Sequence, residues 1–521
     1  MSYIYGLTIG PLVKTLETAR TTREIAVTSL FFSKLTEAVV NIVEAGYTLL
    51  LPAKTEITAN YGFYAERVYW LSDEELDEEK LRGIQCAAYK ELEGVLPKNN
   101  DIELASIIQM YIAHSTCLNG NASASVKPLK IINNKLDLFE LQAKLPVKSL
   151  RNLIDWLIGK GMATGRDRFV YRFRLDDAAP YFRNYAQEKR YPMALEIAAA
   201  PIFYSDRGQY DDKLFRSLDA NSKIDIEDRF FDDNNQIEFL KILRQIAKLK
   251  NIKFLQQHKY FCVVYADGDG IGKYLNNDLQ STPADLQPAS RKLFDFAKKA
   301  ATTIEVYGGV PVFLGGDDLL FFAPVCNVDN SKSTILGLTQ TLNKQFVDLM
   351  DSPELTLSFG IAIGYYKYPM DKLLKAAKTN LFVNAKHNAK KNTISLSLTK
   401  HSGANFNFLL NMQDREFELV LMLVEQLNAN EDEFLKSIAF KLKAQHEIIL
   451  LICKNVRRIE LFFENNFTKD VHIAHEDTFK ILAKLIYIIY FTNNYKLPQE
   501  RLFNLLKYFY FLTENEQHEQ I

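Results

Sequence analysis

Phe261-Cys262-Val263-Val264-Tyr265-Ala266-Asp267-Gly268-Asp269-Gly270-Ile271-Gly272-Lys273 is a continuous apolar run that ends abruptly in aspartates and glycines. Its apolar half reads as a strand buried on both faces. Outward from it the pattern is regular. A helix-rich stretch covers about 288–306. Residues 310–314 and 319–323 form two strands separated by only four residues, and residues 355–364 alternate as another strand. Residues 369–386 read as a helix, with Asp371 as its N-terminal cap and Leu373, Leu374, Ala377, Leu381 and Ala385 on one face. Residues 393–398 are a last short strand. These elements predict a split βαβ, ferredoxin-like palm.

Earlier in the chain, residues 3–9 alternate as a strand and stop at Gly10-Pro11. A long helical pattern then runs from about 12 to 45, and a strand follows at 47–51. This second β-α opening raises the prospect of a duplicated fold. Residues 73–115 read as helices, with Ser72 capping an acidic first turn. Residues 119–195 are mixed, with a helix at 147–160 and a strand at 168–174. A helical run covers 237–248. Beyond 401 strand signals give way to helical periodicity at 416–428, 431–465, 475–491 and 499–513. The expected fold is α+β, with four units. They are a first palm with helical insertions (1–200), a helical connection (201–255), a second palm (256–400) and a C-terminal helical bundle (401–521).

The 521 residues carry 63 basic and 64 acidic side chains, a formal net charge of −1. This excludes a histone-like basic protein but not a local nucleic-acid patch. The five cysteines, at 86, 117, 262, 326 and 453, form no Cys-x-x-Cys pair. Neither a zinc ribbon nor a disulfide framework is indicated, so no zinc is expected. The N-terminus lacks the basic and apolar regions of a signal peptide, and no membrane span is expected. The cytoplasm is the expected compartment.

Two segments carry the chemistry. One is the Asp267-Gly268-Asp269-Gly270 end of the first palm strand. The other is Gly315-Gly316-Asp317-Asp318, at the tip of the tight hairpin. A split βαβ sheet sets that strand beside the hairpin, which brings Asp267 near Asp317 or Asp318. Adjacent carboxylates repel unless a cation lies between them. Oxygen-only ligands favour Mg²⁺, or Mn²⁺, which also keeps substrate phosphates in its shell. Glycines here leave room for a triphosphate to approach the backbone. Alone, Gly-Gly-Asp-Asp could be an ordinary hairpin turn and Asp-Gly-Asp-Gly a surface loop. Together, each at the end of a buried strand, they point to a site. Residues 367–400 add eight lysines against one acid, Asp371. Lys386 is the best phosphate partner, with Lys390 and Lys391 behind it; a solvated helix face is the alternative for any one of them.

These residues, with Ser358-Phe359-Gly360 and Ala385-Lys386, resemble the palm of nucleotide cyclases and GGDEF-type enzymes. More closely they resemble the second palm of the large polymerase-cyclase subunit of type III CRISPR effector complexes. Leu7-Thr8-Ile9-Gly10-Pro11, Ala19-Arg20-Thr21-Thr22-Arg23 and Ser29-Leu30-Phe31-Phe32-Ser33 are similar to the first palm of the Cmr-type version. Tyr191-Pro192-Met193 and Glu196-Ile197-Ala198 are similar to that palm's end. Many members of that family begin with an HD nuclease domain and carry a Cys-x-x-Cys zinc element between the palms; neither is expected here. The eight histidines include no His-Asp dipeptide, so no nuclease activity is expected.

The resemblance implies a nucleotidyltransferase that is activated by target RNA and turns ATP into a cyclic oligoadenylate, or an AMP conjugate, in antiviral defence. It implies Asp267, Asp317 and Asp318 as catalytic residues, and the same three with the Gly268 carbonyl as metal ligands. Gly268, Asp269, Gly270, Gly272, Gly315, Gly316, Ser358 and Lys386 would contact nucleotide. Sister subunits, guide RNA and target RNA would be the partners. The alternatives are a free-standing GGDEF-like dinucleotide cyclase and a non-catalytic palm scaffold.

Overall fold

The computed structural model describes residues 2–55, 61–93, 107–117, 128–142, 147–158, 191–203, 233–275, 283–328, 330, 332–387, 390–427, 432–493 and 495–516. Among them, two sheets organise the chain. The first contains β1 (Ser2–Gly10), β2 (Thr48–Leu51), β3 (Arg67–Ser72) and β4 (Gln109–Cys117), in the antiparallel order β2-β3-β1-β4. The second contains β5 (Tyr260–Asp269), β6 (Val310–Gly315), β7 (Asp318–Pro324), β8 (Thr356–Tyr365), β9 (Thr393–Thr399) and β10 (Asn405–Asn411). Its order is β10-β9-β8-β5-β7-β6, with only β8 and β9 parallel.

Taken from the other edge, the first sheet runs β4-β1-β3-β2, and the core of the second runs β8-β5-β7-β6. Each has one long helix after its first strand, Thr22–Gly46 or Pro283–Tyr307, and another before its last, Glu78–Glu93 or Ile335–Met350. The chain therefore holds two copies of the split βαβ palm. The helix Thr22–Gly46 is long and apolar enough to cross a membrane, but 78% of its apolar window is buried within the protein. One continuous apolar core joins that helix (Phe31, Leu35), the second sheet (Val264, Phe321) and the C-terminal helices (Phe463, Phe479). Each such side chain contributes about 1.5–3 kcal/mol by leaving water.

Several elements differ from the sequence reading. The stretch 73–115 is not all helix. Ser72 ends β3, and β4 follows the helix Glu78–Glu93. The acidic run after Ser72 masks the six-residue strand before it. The expected helix 12–45 is interrupted, and Thr21 caps its second part by accepting the amide of Glu24 at 3.2 Å. The helix Ile335–Met350 was not anticipated, although Ile335, Leu338, Leu342, Phe346 and Met350 recur at helical spacing and are all buried. Pro369, not Asp371, is the N-cap of Met370–Thr379. The stretch 431–465 is three helices, Asp432–Ala444, His446–Ile452 and Val456–Asn466, the last capped by the Asn455 side chain. Strand structure does not end at 401, because β10 pairs with β9 and extends the second sheet to Asn411. Phe406, Phe408 and Leu410 alternate inward there. The expected strand at 168–174 lies outside the described residues.

The C-terminal helices close against this sheet. Glu516 binds Lys259 at 2.8 Å and Arg244 at 2.6 Å, just before β5 begins. Lys259 is 1% exposed. A charge this buried is tolerable only because it is paired.

Candidate active site

β5 lies between β7 and β8. Ala266 is registered with Leu319 of β7, and Asp267, Gly268 and Asp269 with Ser358, Leu357 and Thr356 of β8. The β6–β7 hairpin closes at the Gly315–Asp318 pair, so Gly316 and Asp317 form a two-residue loop. Gly316 has φ +89°, the positive value that such a tight turn needs at its first position. The register therefore sets the hairpin tip beside the end of β5.

The contact there is close. A Cβ built on Gly268 would lie 2.6 Å from Asp317 Oδ2 and 2.8 Å from Asp317 Cβ. The missing side chain at 268 makes room for the Asp317 carboxylate, rather than for an incoming ligand as the sequence suggested. The Gly268 amide also donates to that carboxylate.

Lys386 enters from the other side. The helix Met370–Thr379 continues into a π-helical turn, Asn380–Ala385, in which the Lys386 amide reaches back to the Leu381 carbonyl at 2.9 Å. The Lys386 ammonium then lies 2.5 Å from Asp267 Oδ2, 3.0 Å from Asp269 Oδ1 and 2.7 Å from the Gly268 carbonyl. Its side chain is 15% exposed.

The electrostatics follow from this crowding. The Asp317 carboxyl is pushed up to about 7, first by desolvation and then by Asp267; the Gly268 amide and Lys386 oppose the rise. Asp318 is also raised, by desolvation and then by Asp317 and Asp267. Asp318 is solvent-exposed as a residue, so water weakens the first effect and the like-charged neighbours carry the shift. Burial raises the Lys386-facing corner's cost of charge, yet its carboxylate partners keep the Lys386 ammonium above its ordinary value.

Two expected nucleotide contacts lie beneath the surface. Asp269 is 2% exposed and Ser358 fully buried. Asp269 Oδ2 accepts from Thr356 Oγ1 at 3.0 Å, Ser358 Oγ at 2.7 Å and the Asn392 amide at 2.9 Å. As placed, these two residues brace the site from below instead of facing a ligand. Gly270, with φ +85°, turns the chain out of β5, and Gly272 has open space around it. Gly315 packs against the Phe313 ring. Lys390 pairs with Asp414 at 2.9 Å and Lys391 donates to the Lys386 carbonyl at 3.0 Å.

Sequence reading missed the first palm's contribution. Glu66, next to β3, is itself raised by burial and adds to the rise at Asp318. It also missed Asn392 and Thr356. Their signal was available: Thr356 and Ser358 are polar residues on the inward face of an otherwise apolar strand. In the first palm, the corresponding end of β1 carries Thr8, which donates to Glu140 at 2.7 Å, and no aspartate.

The donors fit the open half of a hard-cation shell: the Asp267 carboxylate, the Gly268 carbonyl and the Asp317 carboxylate. Among the described residues, no three or more His, Cys, Asp or Glu side chains converge into a ready cage. The Lys386 ammonium already sits on the first two of these donors, the Asp267 carboxylate and the Gly268 carbonyl.

Fold and corner together define a nucleotide-cyclase-like palm protein with two palms. Residues 260–395 match the family model described as Cas10/Cmr2, second palm domain. A curated relative, CRISPR system Cmr subunit Cmr2 of Pyrococcus furiosus, is 26% identical over 171 residues, which make up 28% of this chain and 19% of that protein. Among solved structures, the apo type III-B Cmr-beta complex contains a chain with TM-score 0.55 at 12% identity, covering 89% of this chain and 77% of that one. A Csm1-Csm4 cassette in complex with pppApA has TM-score 0.52 at 12% identity, covering 99% and 69%. At such identities the likeness to solved structures shows the fold alone. With the sequence matches, this chain is similar to the type III CRISPR large subunits, and its residues 260–395 match the Cas10/Cmr2 second palm.

Proposed function

We propose that this chain is the nucleotidyltransferase subunit of a cytoplasmic type III CRISPR effector complex. A ribose 3′-hydroxyl attacks the α-phosphorus of an ATP, the new O–P bond forms, and the bond to the pyrophosphate breaks. The products are cyclic oligoadenylates or an AMP conjugate such as one with S-adenosylmethionine. The observation that carries the reading is the meeting of Asp267, Gly268, Asp317 and Lys386 at one corner of a second palm. Adenylates come first because a cassette of the same fold was solved with pppApA.

Mg²⁺ or Mn²⁺, held by Asp267, the Gly268 carbonyl and Asp317 with Asp318 assisting, would supply Lewis acidity and neutralise phosphate charge. The chain's own residues do the rest by position. Asp269, fixed by three hydrogen bonds, sets the reach of Lys386. Lys386 offers an ammonium to phosphate oxygens. The Gly268 amide orients Asp317. No protein nucleophile is required, since positioning and electrostatics account for most catalysis of this type. Sister subunits, guide RNA and target RNA are the proposed partners.

A second reading, a palm that only scaffolds, has one observation in its favour: Lys386 already satisfies the acidic corner. Incubating the assembled complex with target RNA, Mg²⁺ and labelled ATP decides. Wild type is expected to form oligoadenylate or conjugate, and Asp317→Ala/Asp318→Ala to lose at least about 100-fold. Equal product from both would refute the assignment.

A further inference from the structure

The Lys386 ammonium has three oxygens close by: Asp267 Oδ2 at 2.5 Å, the Gly268 carbonyl, to which it donates, at 2.7 Å, and Asp269 Oδ1, an ion-pair contact without hydrogen-bond geometry, at 3.0 Å. Two of those three oxygens are the ones assigned above to a divalent cation. A small divalent ion would approach them to about 2.0–2.2 Å. An ammonium and a divalent ion cannot both sit on the same two oxygens, because like charges a few ångströms apart repel strongly in a partly dehydrated corner.

We propose that Lys386 is the resident cation of this corner, an internal gate that a divalent ion must displace from Asp267 and Gly268 before nucleotide chemistry begins. This rests on the reading of the site as a nucleotidyltransferase centre.

The third oxygen explains how the displacement is guided. Asp269 is 2% exposed, and its Oδ2 is already bonded to Thr356, Ser358 and Asn392. Among the described residues its Oδ1 takes no hydrogen bond and meets Lys386 as an ion pair at 3.0 Å. Asp269 is therefore a fixed anchor and not a metal ligand. Lys386 is held at its backbone by the π-helical turn, and its four-carbon stem has the rotatable bonds that moving the ammonium requires. Giving up Asp267 and Gly268 frees two of the three ammonium donors for phosphate oxygens, while the ion pair to Asp269 keeps the ammonium beside the corner. Asp269 is in this sense a positioning residue, acting through Lys386.

The energetic consequence is coupling. A divalent ion arriving alone must evict the ammonium from two oxygens, Asp267 Oδ2 and the Gly268 carbonyl, and offers it nothing in return. Arriving with a polyphosphate, it brings new anionic partners for the evicted lysine, and the cost is recovered. Metal alone binds weakly; metal with nucleotide binds strongly. Lys386 thereby opposes the first event and supports the second, a pair of opposite effects that a plain surface salt bridge or a plain phosphate-binding lysine would not produce.

The test uses the full chain and Mn²⁺ as the probe, with bound and free ion distinguished by electron paramagnetic resonance. Titrations are run with and without a non-hydrolysable ATP analogue. Lys386→Gln removes the charge but keeps an N–H donor for Asp269, and Lys386→Arg keeps the charge; thermal melts confirm that both fold. Lys386→Gln is expected to bind Mn²⁺ alone about tenfold tighter than wild type, and the Mn²⁺–analogue pair about tenfold weaker. Lys386→Arg is expected to stay near wild type for Mn²⁺ alone. If Lys386→Gln binds Mn²⁺ alone no tighter than wild type, while both still bind the Mn²⁺–analogue pair, the gate is overturned and the nucleotidyltransferase reading stands. If no protein, wild type included, binds the Mn²⁺–analogue pair, both fall.

Discussion

Ser29, on the long helix of the first palm, donates its hydroxyl to the carbonyl of Val312 on β6 at 3.0 Å. Gly62 sits beside this contact. Its amide also donates to Val312, at 2.9 Å, and its carbonyl accepts from Leu314 at 2.8 Å. Phe63 stacks on Phe294 with ring centroids 5.0 Å apart. The hairpin that presents Asp317 and Asp318 therefore has its outer strand held by the first palm.

This seam should matter to the site. Phe63 is 1% exposed, so Phe63→Ala should cost about 3–5 kcal/mol. Ser29→Ala should cost only about 1 kcal/mol, since Val312 keeps its Gly62 partner. Urea unfolding measures both. A Phe63→Ala protein as stable as wild type would show that the stack does not hold the two palms.

Gly268→Ala is expected to separate activity from stability. The added carbon would meet Asp317 at 2.6 Å. β5 is fixed on both sides, so the hairpin tip must yield. A shift of that order should lower turnover on the order of 100-fold, for a stability loss of about 1–3 kcal/mol. Full activity in the variant would mean that the Asp317 position is not critical.

Asp269→Ala should destabilise by about 3–5 kcal/mol, because it removes the buried anion from an ion pair and leaves three donors unmet. Ser358→Ala, which removes one donor, should cost about 1–3 kcal/mol. The ordering of the two in denaturant melts is the check; a surface role for Asp269 would make the first change nearly silent.

Asp317 predicts a pH dependence. Its carboxyl is raised to about 7 from the ordinary carboxylate value of about 4. Between those limits the folded protein holds a proton that the unfolded chain has released. The stabilisation is complete below the lower limit and is lost as pH rises through about 7. Asp317→Asn should flatten that fall in metal-free melts. A wild-type curve already flat from pH 4 to 7 would contradict the crowding described at this corner.

The second palm was legible because two of its core strands, β5 and β6, are apolar runs closed by glycine and aspartate. Asp267, Asp317 and Lys386 were found by the same route, as chemistry-bearing residues at element ends. The misses have physical causes. β3 is six residues long and precedes an acidic run that imitates a helix start. β10 alternates with asparagine, and its buried face is set by pairing with β9. The roles of Asp269 and Gly268 depend on which neighbour lies against them. Spacing in the sequence could not tell a carboxylate facing a ligand from one facing Ser358, or a glycine that admits a phosphate from one that admits Asp317.

Both margins of the larger sheet are occupied. Along β6 the Gly62 segment takes the outward amide and carbonyl positions. Along β10 the helix Pro498–Thr513 lends side chains: Arg501 donates to the Leu409 carbonyl at 2.5 Å and Asn504 to the Asn407 carbonyl at 2.9 Å. Among the described residues, these contacts occupy backbone positions on both rims of this sheet that strand addition by a neighbouring chain would use. Covering an edge in this way lowers the tendency of an open sheet to template clumping.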